Sequence, residues 1–176
     1  MNRLKMSVVM LFLVGACSKS ADDPRVELTD VGFTLHLPPA MQQALDSAAP
    51  GFRAVRTTSF RSDVAQAAAA TATNGMAAAF ATIGDYDHDG TVDAVVEGTA
   101  RGDSAMRVIA IMNGPKPTAI DITSFAIYDA DAVGIYLTNA PAGGAGAFEV
   151  VAYPDSTILY QMRDGAFSGR VVRDSE

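Results

Sequence analysis

Residues 85–93 read Asp-Tyr-Asp-His-Asp-Gly-Thr-Val-Asp, which sets carboxylates at Asp85, Asp87, Asp89 and Asp93 around a glycine at Gly90. Four acids this close repel one another unless a cation sits among them or some of the carboxyl groups hold their protons. Alternate positions of a tight loop aim Asp85, Asp87 and Asp89 at one centre, and Gly90 permits the sharp turn that follows. Ca2+ takes six to eight hard oxygen ligands at about 2.3–2.6 Å. The spacing therefore predicts a calcium loop. Its shell comprises the three alternate aspartates, the main-chain carbonyl of Thr91 and both oxygens of Asp93. Without a cation the loop is expected to be disordered or to have raised pKa values. The competing reading is a metal-free acidic turn.

What flanks the loop decides which kind of calcium site it is. Met76–Ile83 (MAAAFATI) leads in and Val92–Glu97 (VDAVVE) leads out, and both read as strands, the second from its β-branched content. In the outgoing strand Val92, Ala94 and Val96 share one face, which leaves Asp93 and Val95 on the other. An EF-hand needs flanking helices and a bidentate glutamate at its twelfth position, where this chain has Val96. The D-x-D-x-D-G-x-x-D form between two strands instead resembles the calcium loop of FG-GAP and related integrin-type or VCBS repeats. The resemblance covers about Phe80 to Gly98, with Ile83-Gly84-Asp85 in the place of the hydrophobic-Gly-Asp lead-in of those repeats. Such repeats build propellers blade by blade. A chain of 176 residues with one copy of the loop is too short for that, so the resemblance implies a calcium clip in a small single domain and not the ligand roles of propellers. His88, at the fourth loop position, is expected to face solvent as an ordinary surface residue.

The N-terminus carries the second clear signal. Residues 1–16 hold Arg3 and Lys5, no acid, and the apolar run Met6–Val14 interrupted only by Ser7. That run is shorter than the roughly 20 residues a spanning helix requires, and has the length of a secretory h-region. It ends in Val14-Gly15-Ala16-Cys17, which resembles the lipobox of bacterial lipoproteins. The resemblance implies cleavage before Cys17, attachment of acyl chains such as palmitate to that cysteine, and anchoring in the cell envelope. Ser18 in place of an aspartate favours the outer membrane if the source is Gram-negative. Cys17 is the chain's sole cysteine, so no intramolecular disulfide exists. The organisation expected is a signal peptide over 1–16, a lipidated cysteine and tether over 17–24, and one calcium-binding domain over 25–176.

The rest of the chain predicts the fold. Arg25–Leu37 alternates in two short runs, and His36 is read as a partly exposed strand residue. Pro38-Pro39 stops the run, and Met41, Ala44, Leu45 and Ala48 then recur at helical spacing. Phe52, Val55 and Phe60 are candidate core residues, and the alanine-rich Ser62–Thr73 predicts a second helix, with a flexible insert as its alternative. Ser104–Met112 is apolar on both faces and predicts a central strand. Thr118–Tyr128, Ile135–Leu137, Phe148–Tyr153, Thr157–Met162 and Ala166–Val172 predict further strands, the last ones a meander turned by Pro154-Asp155-Ser156 and Asp164-Gly165. The class predicted is α+β: an antiparallel sheet of about six to eight strands with one or two short N-terminal helices.

Function is less legible. The net charge of −7 argues against nucleic acid and anionic bilayers as electrostatic partners. Asn139–Ala147 is rich in small residues but lacks the lysine and hydroxyl of a phosphate loop. The reading that fits best is a membrane-anchored, non-enzymatic binding or envelope module whose partner is an envelope protein or polysaccharide. The first alternative is an envelope hydrolase with a carboxylate-based site, for which Glu27, Glu149 and Asp155 are the acids outside the loop. The second is an adhesin acting through Arg101-Gly102-Asp103, which falls where a turn is expected.

Overall fold

The computed structural model describes residues 23–29, 32–71, 77–126, 133–140 and 146–174. The expected signal peptide over 1–16, Cys17 and most of the expected tether lie outside them. Two strands open the described chain, β1 (Arg25–Thr29) and β2 (Gly32–His36), paired antiparallel as a two-stranded sheet. Pro38 and Pro39 end β2 and start α1 (Pro39–Ala48), where the missing proline N–H at the first turn costs nothing. Met41 and Leu45 on α1 and Ala49 just beyond it are buried. The short strand β3 (Arg53–Ala54) and a 3-10 turn over Thr57–Ser59 lead to α2 (Ser62–Thr71), whose buried side is Val64 and Ala68. Asp63 Oδ1 accepts the Val64 N–H at its start.

The remaining strands are β4 (Ala77–Ala78), β5 (Ala81–Gly84), β6 (Asp93–Thr99), β7 (Ala105–Met112), β8 (Thr118–Ala126), β9 (Ile135–Asn139), β10 (Ala147–Ala152), β11 (Ser156–Arg163) and β12 (Ala166–Asp174). They form two antiparallel sheets: β4-β5-β6-β7-β8, with β3 also on β6, and the meander β9-β10-β11-β12. The α+β class is what the structure has. The single sheet of about six to eight strands is not: the described residues hold twelve strands in three sheets. The run Met76–Ile83 was expected as one strand; its described part, 77–83, instead turns at Ala79-Phe80, where the Ala79 carbonyl accepts the Leu137 N–H and the Phe80 carbonyl accepts the Glu97 N–H. That first bond also joins the edge of one large sheet to the other, so the strands divide and fold over rather than continuing in one plane.

The division makes two apolar cores. Val95 of β6 and Val108, Ala110 and Met112 of β7 meet Leu137, Phe148, Val150 and Tyr160 from the meander. Ala94, Val96, Ile109 and Ile111, on the opposite faces of the same two strands, pack under α1 and α2. This explains the two-faced apolar pattern of Ser104–Met112: β7 is central, between β6 and β8, and buried on both sides. Each such fully buried large side chain contributes about 1.5–3 kcal/mol.

Candidate metal centre

β5 and β6 are antiparallel neighbours whose last pair is Gly84 with Asp93, so both ends of the acidic loop are fixed in the sheet. The loop between them is built from alternate residues turned opposite ways. Asp85, Asp87 and Asp89 each offer a carboxylate oxygen, and these atoms lie within 4.8 Å of one another. Tyr86 turns inward and is 1% exposed. Its ring meets Phe148 edge-on with centroids 5.4 Å apart. Its hydroxyl lies 3.1 Å from Thr82 Oγ1 and 3.0 Å from Asn139 Oδ1, and the Thr82 hydroxyl donates to the same Asn139 oxygen. Burial pushes the Tyr86 phenol well above its ordinary pKa, so it stays a neutral plug.

Main-chain donors shape the acidic side. The N–H groups of Asp89 and Gly90 donate to Asp87 Oδ1 and Asp85 Oδ2, each at 3.1 Å. The Thr91 N–H and hydroxyl both donate to Asp89 Oδ1, at 2.8 and 2.6 Å. Gly90 supplies the turn with φ +89°. The Thr91 hydroxyl, then its N–H, hold the Asp89 carboxyl below its usual pKa. Without a cation the loop was expected to be disordered or to have raised pKa values, and Asp89 departs from the second because local donors outweigh the desolvation that opposes them.

Asp93 stands apart from the three. Expected to close the shell with both oxygens, it is fully buried at the foot of the loop and is not one of the clustered acids. Its Oδ2 accepts the Tyr86 N–H and its Oδ1 accepts the Asn113 N–H, both at 2.8 Å. One carboxylate thus ties the start of the loop to the turn after β7. Burial raises its pKa to about 6 against the opposing effect of those two bonds, with the charges of Asp87 and Asp89 adding to the rise.

One atom tests the fit to a cation. Asp85 Oδ1 is shielded from solvent and has no hydrogen-bond partner among the described residues. An ion among the three carboxylates would satisfy it, and an all-oxygen donor set suits a hard cation. Two more loops approach the same place: Gly114, after β7, lies where a Cβ would be 3.6 Å from Asp89 Oδ2, and Gly146, before β10, touches His88. His88 is exposed with φ +63°, and its ring rests on Gly146 rather than standing free.

The other residues singled out in the sequence take no part in this cluster. Val96, at the EF-hand glutamate position, is buried under the helices. His36 pairs with Glu27 at 3.0 Å across the β1–β2 hairpin. In the Arg101-Gly102-Asp103 turn, the Arg101 side chain lies along Gly51 and Asp103 faces Arg107 at 3.7 Å. Glu149 is on β10, with its pKa raised by burial, and Asp155 is in the turn before β11. Tyr86, Asn113 and Asn139 were missed. An aromatic between two ligand positions was a readable signal for Tyr86, whereas Asn113 acts through its backbone and Asn139 through a distant strand.

Glu97 was also missed. It follows Asp93 and Val95 on the same face of β6, is 0% exposed, and has no hydrogen-bond partner on either oxygen among the described residues. Burial pushes its pKa well above the ordinary value. Compared with protein-family models, curated proteins and solved structures, the chain shows no match.

Proposed function

We propose that the acidic loop holds Ca2+ and that the protein is an exported, lipid-anchored envelope component, acting as a non-enzymatic binding module. The observation that carries the calcium reading is the convergence of Asp85, Asp87 and Asp89 within 4.8 Å, around a shielded oxygen of Asp85 that no donor reaches. In this reading the Thr91 carbonyl joins the shell, and Asp93, whose oxygens each already accept a main-chain N–H, adds to it only through a remaining lone pair. The ion's role is structural: it clamps the β5–β6 connection where the turns after β7 and before β10 approach. The anchor rests on the Val14-Gly15-Ala16-Cys17 sequence, and a partner in the envelope, protein or polysaccharide, follows from that location.

Two measurements test it. Calorimetric titration of the chelated protein with CaCl2 should give one saturable site, absent in the Asp87→Asn/Asp89→Asn double variant and much weaker for MgCl2. Absence of binding in the unaltered chain overturns the calcium reading. Mass spectrometry of the N-terminal peptide from membranes should find Cys17 acylated and residues 1–16 gone. An unmodified Cys17 overturns the anchor.

A further inference from the structure

A cavity of about 550 Å3 opens on the helix-covered side of the molecule, away from the acidic loop. Its floor is Leu45, Phe80 and Val96, all buried members of the core under the helices. Phe33 and Leu35 of β2 form one wall. The segment after α1, including Ala54 and Arg56, forms another. The cavity is open to solvent, and its lining joins these apolar side chains to Thr34, Gln42, Arg56 and Thr58, so water rests against hydrocarbon that an apolar ligand chain would cover. Sites for small ligands have this size and this lining, with a few polar groups to fix orientation.

Two observations specify the occupant. Arg56 is the single charged residue among those that line the cavity. Its guanidinium makes no ion pair or side-chain hydrogen bond among the described residues. On a chain of net charge −7, a free cation at the rim of a partly apolar cavity is locally complementary to an anion that also carries hydrocarbon. The second observation concerns access. The β1–β2 hairpin is a sheet of its own, and no described backbone hydrogen bond ties it to either large sheet. Among the described residues, Val26, Phe33 and Leu35 hold it down by apolar contact. That wall can lift without breaking a ladder.

We propose that this cavity binds a single-chain amphiphile with an oxyanion head, its hydrocarbon chain against Phe33, Leu45, Phe80 and Val96 and its head at Arg56. Thr58 and Thr34, which also line the cavity, offer hydroxyl donors to the same head. A carboxylate and a phosphate head share this chemistry.

The test is calorimetric titration of the full chain, in buffer without added calcium, with dodecanoate, dodecyl phosphate, dodecyltrimethylammonium and dodecanol, each below its micelle concentration. One or both anionic chains should bind saturably at one site, and which one binds more tightly distinguishes a fatty acid from a lipid phosphate. The cationic chain should bind at least about tenfold more weakly, and Arg56→Gln should weaken the anionic chain by about tenfold while leaving dodecanol unchanged. Ala54→Trp, which fills the cavity from its exposed wall, should abolish binding. Since that variant can disturb β3, hydrogen exchange on the unaltered protein provides an independent reading: the bound anionic chain should slow exchange over residues 33–37. No saturable binding, equal binding of anionic and cationic chains, or protection confined to other segments overturns the proposal.

Discussion

Asp93 and Glu97 sit on the same face of β6, four residues apart, and both are completely buried. Asp93 accepts two backbone N–H groups, one from each of two loops, and its pKa rises only to about 6. Glu97 accepts none, and its pKa rises well above the ordinary carboxylate value. Both are shielded from solvent, but Asp93 lies nearer the surface, beneath the exposed loop, and it alone of the two has hydrogen-bond donors among the described residues. A buried carboxylate given main-chain donors organises the loops that supply them, whereas one without donors keeps its proton and costs stability. The end of β6 at Asp93 is therefore built for charge and the stretch at Glu97 excludes it.

The largest effect expected from breaking this contrast is at Asp93. Asp93→Ala leaves the Tyr86 and Asn113 N–H groups buried without acceptors, and each such orphan costs about 1–3 kcal/mol. Urea unfolding should show a loss of about 4 kcal/mol, with calcium binding abolished. Asp93→Asn keeps one acceptor oxygen and should lose less than half of that. Equal losses in the two variants would mean that the bonds to Tyr86 and Asn113 contribute nothing.

Calcium should sharpen the contrast by acting at one end only. At about 100 times its dissociation constant, an ion that binds the native state alone adds about 2.7 kcal/mol. A chelator should therefore lower the melting midpoint of the unaltered protein and leave the Asp87→Asn/Asp89→Asn variant unmoved. Protonation separates the two ends further. Both folded pKa values are raised, so each group's contribution is fully present below its unfolded value, 3.8 for Asp93 and 4.5 for Glu97. Each is lost as pH rises through the folded value. In the calcium-free protein the Asp93 contribution is gone above about pH 6, while that of Glu97 continues to fall. Calcium needs the ionised form, so its affinity should rise with pH up to about 6 and then level. An affinity that is flat between about pH 4 and 7 would detach Asp93 from the site.

Glu97 comes next in size. Glu97→Leu replaces a buried acid that has no hydrogen-bond partner among the described residues with an apolar side chain, and should stabilise the fold by about 1–3 kcal/mol near neutral pH. The fall in stability above about pH 6 should flatten in this variant and persist in Asp93→Asn. Loss of stability in Glu97→Leu, with the pH slope unchanged, would show that the acid has a partner in solution.

These two residues also mark what was legible in the sequence. Asp85, Asp87 and Asp89 were readable because a loop's ligand geometry is local: alternate positions and one glycine suffice. The two helices and the C-terminal meander were readable for the same reason, being set by periodicity and turn residues. Asp93 was placed on the correct face of its strand, yet its partners were not foreseeable. One of them, the Asn113 N–H, comes from a turn whose approach depends on the β6–β7 register. Glu97 carries no local mark at all. Its burial follows from the packing of one sheet over the other, and a link between them, the Leu137 N–H bond to the Ala79 carbonyl, is a backbone contact that no side-chain pattern announces.

The smallest effect expected concerns the loop's outer side, where His88 rests on Gly146. Gly146 has φ +88°, and a Cβ there would lie 2.3 Å from His88 Cε1. Gly146→Ala meets two penalties: a left-handed backbone that costs a non-glycine residue about 1–2 kcal/mol, and a contact that the exposed imidazole can relieve by swinging away. The total should be about 1–2 kcal/mol by urea unfolding, nearly all of it backbone. Combining it with His88→Ala separates the two, since only the steric part is shared between the residues. A double variant no more stable than additivity predicts assigns the cost to Gly146 itself. If the double variant recovers most of the loss, the histidine is held in place, and its own φ of +63° is then imposed by the loop it helps to close.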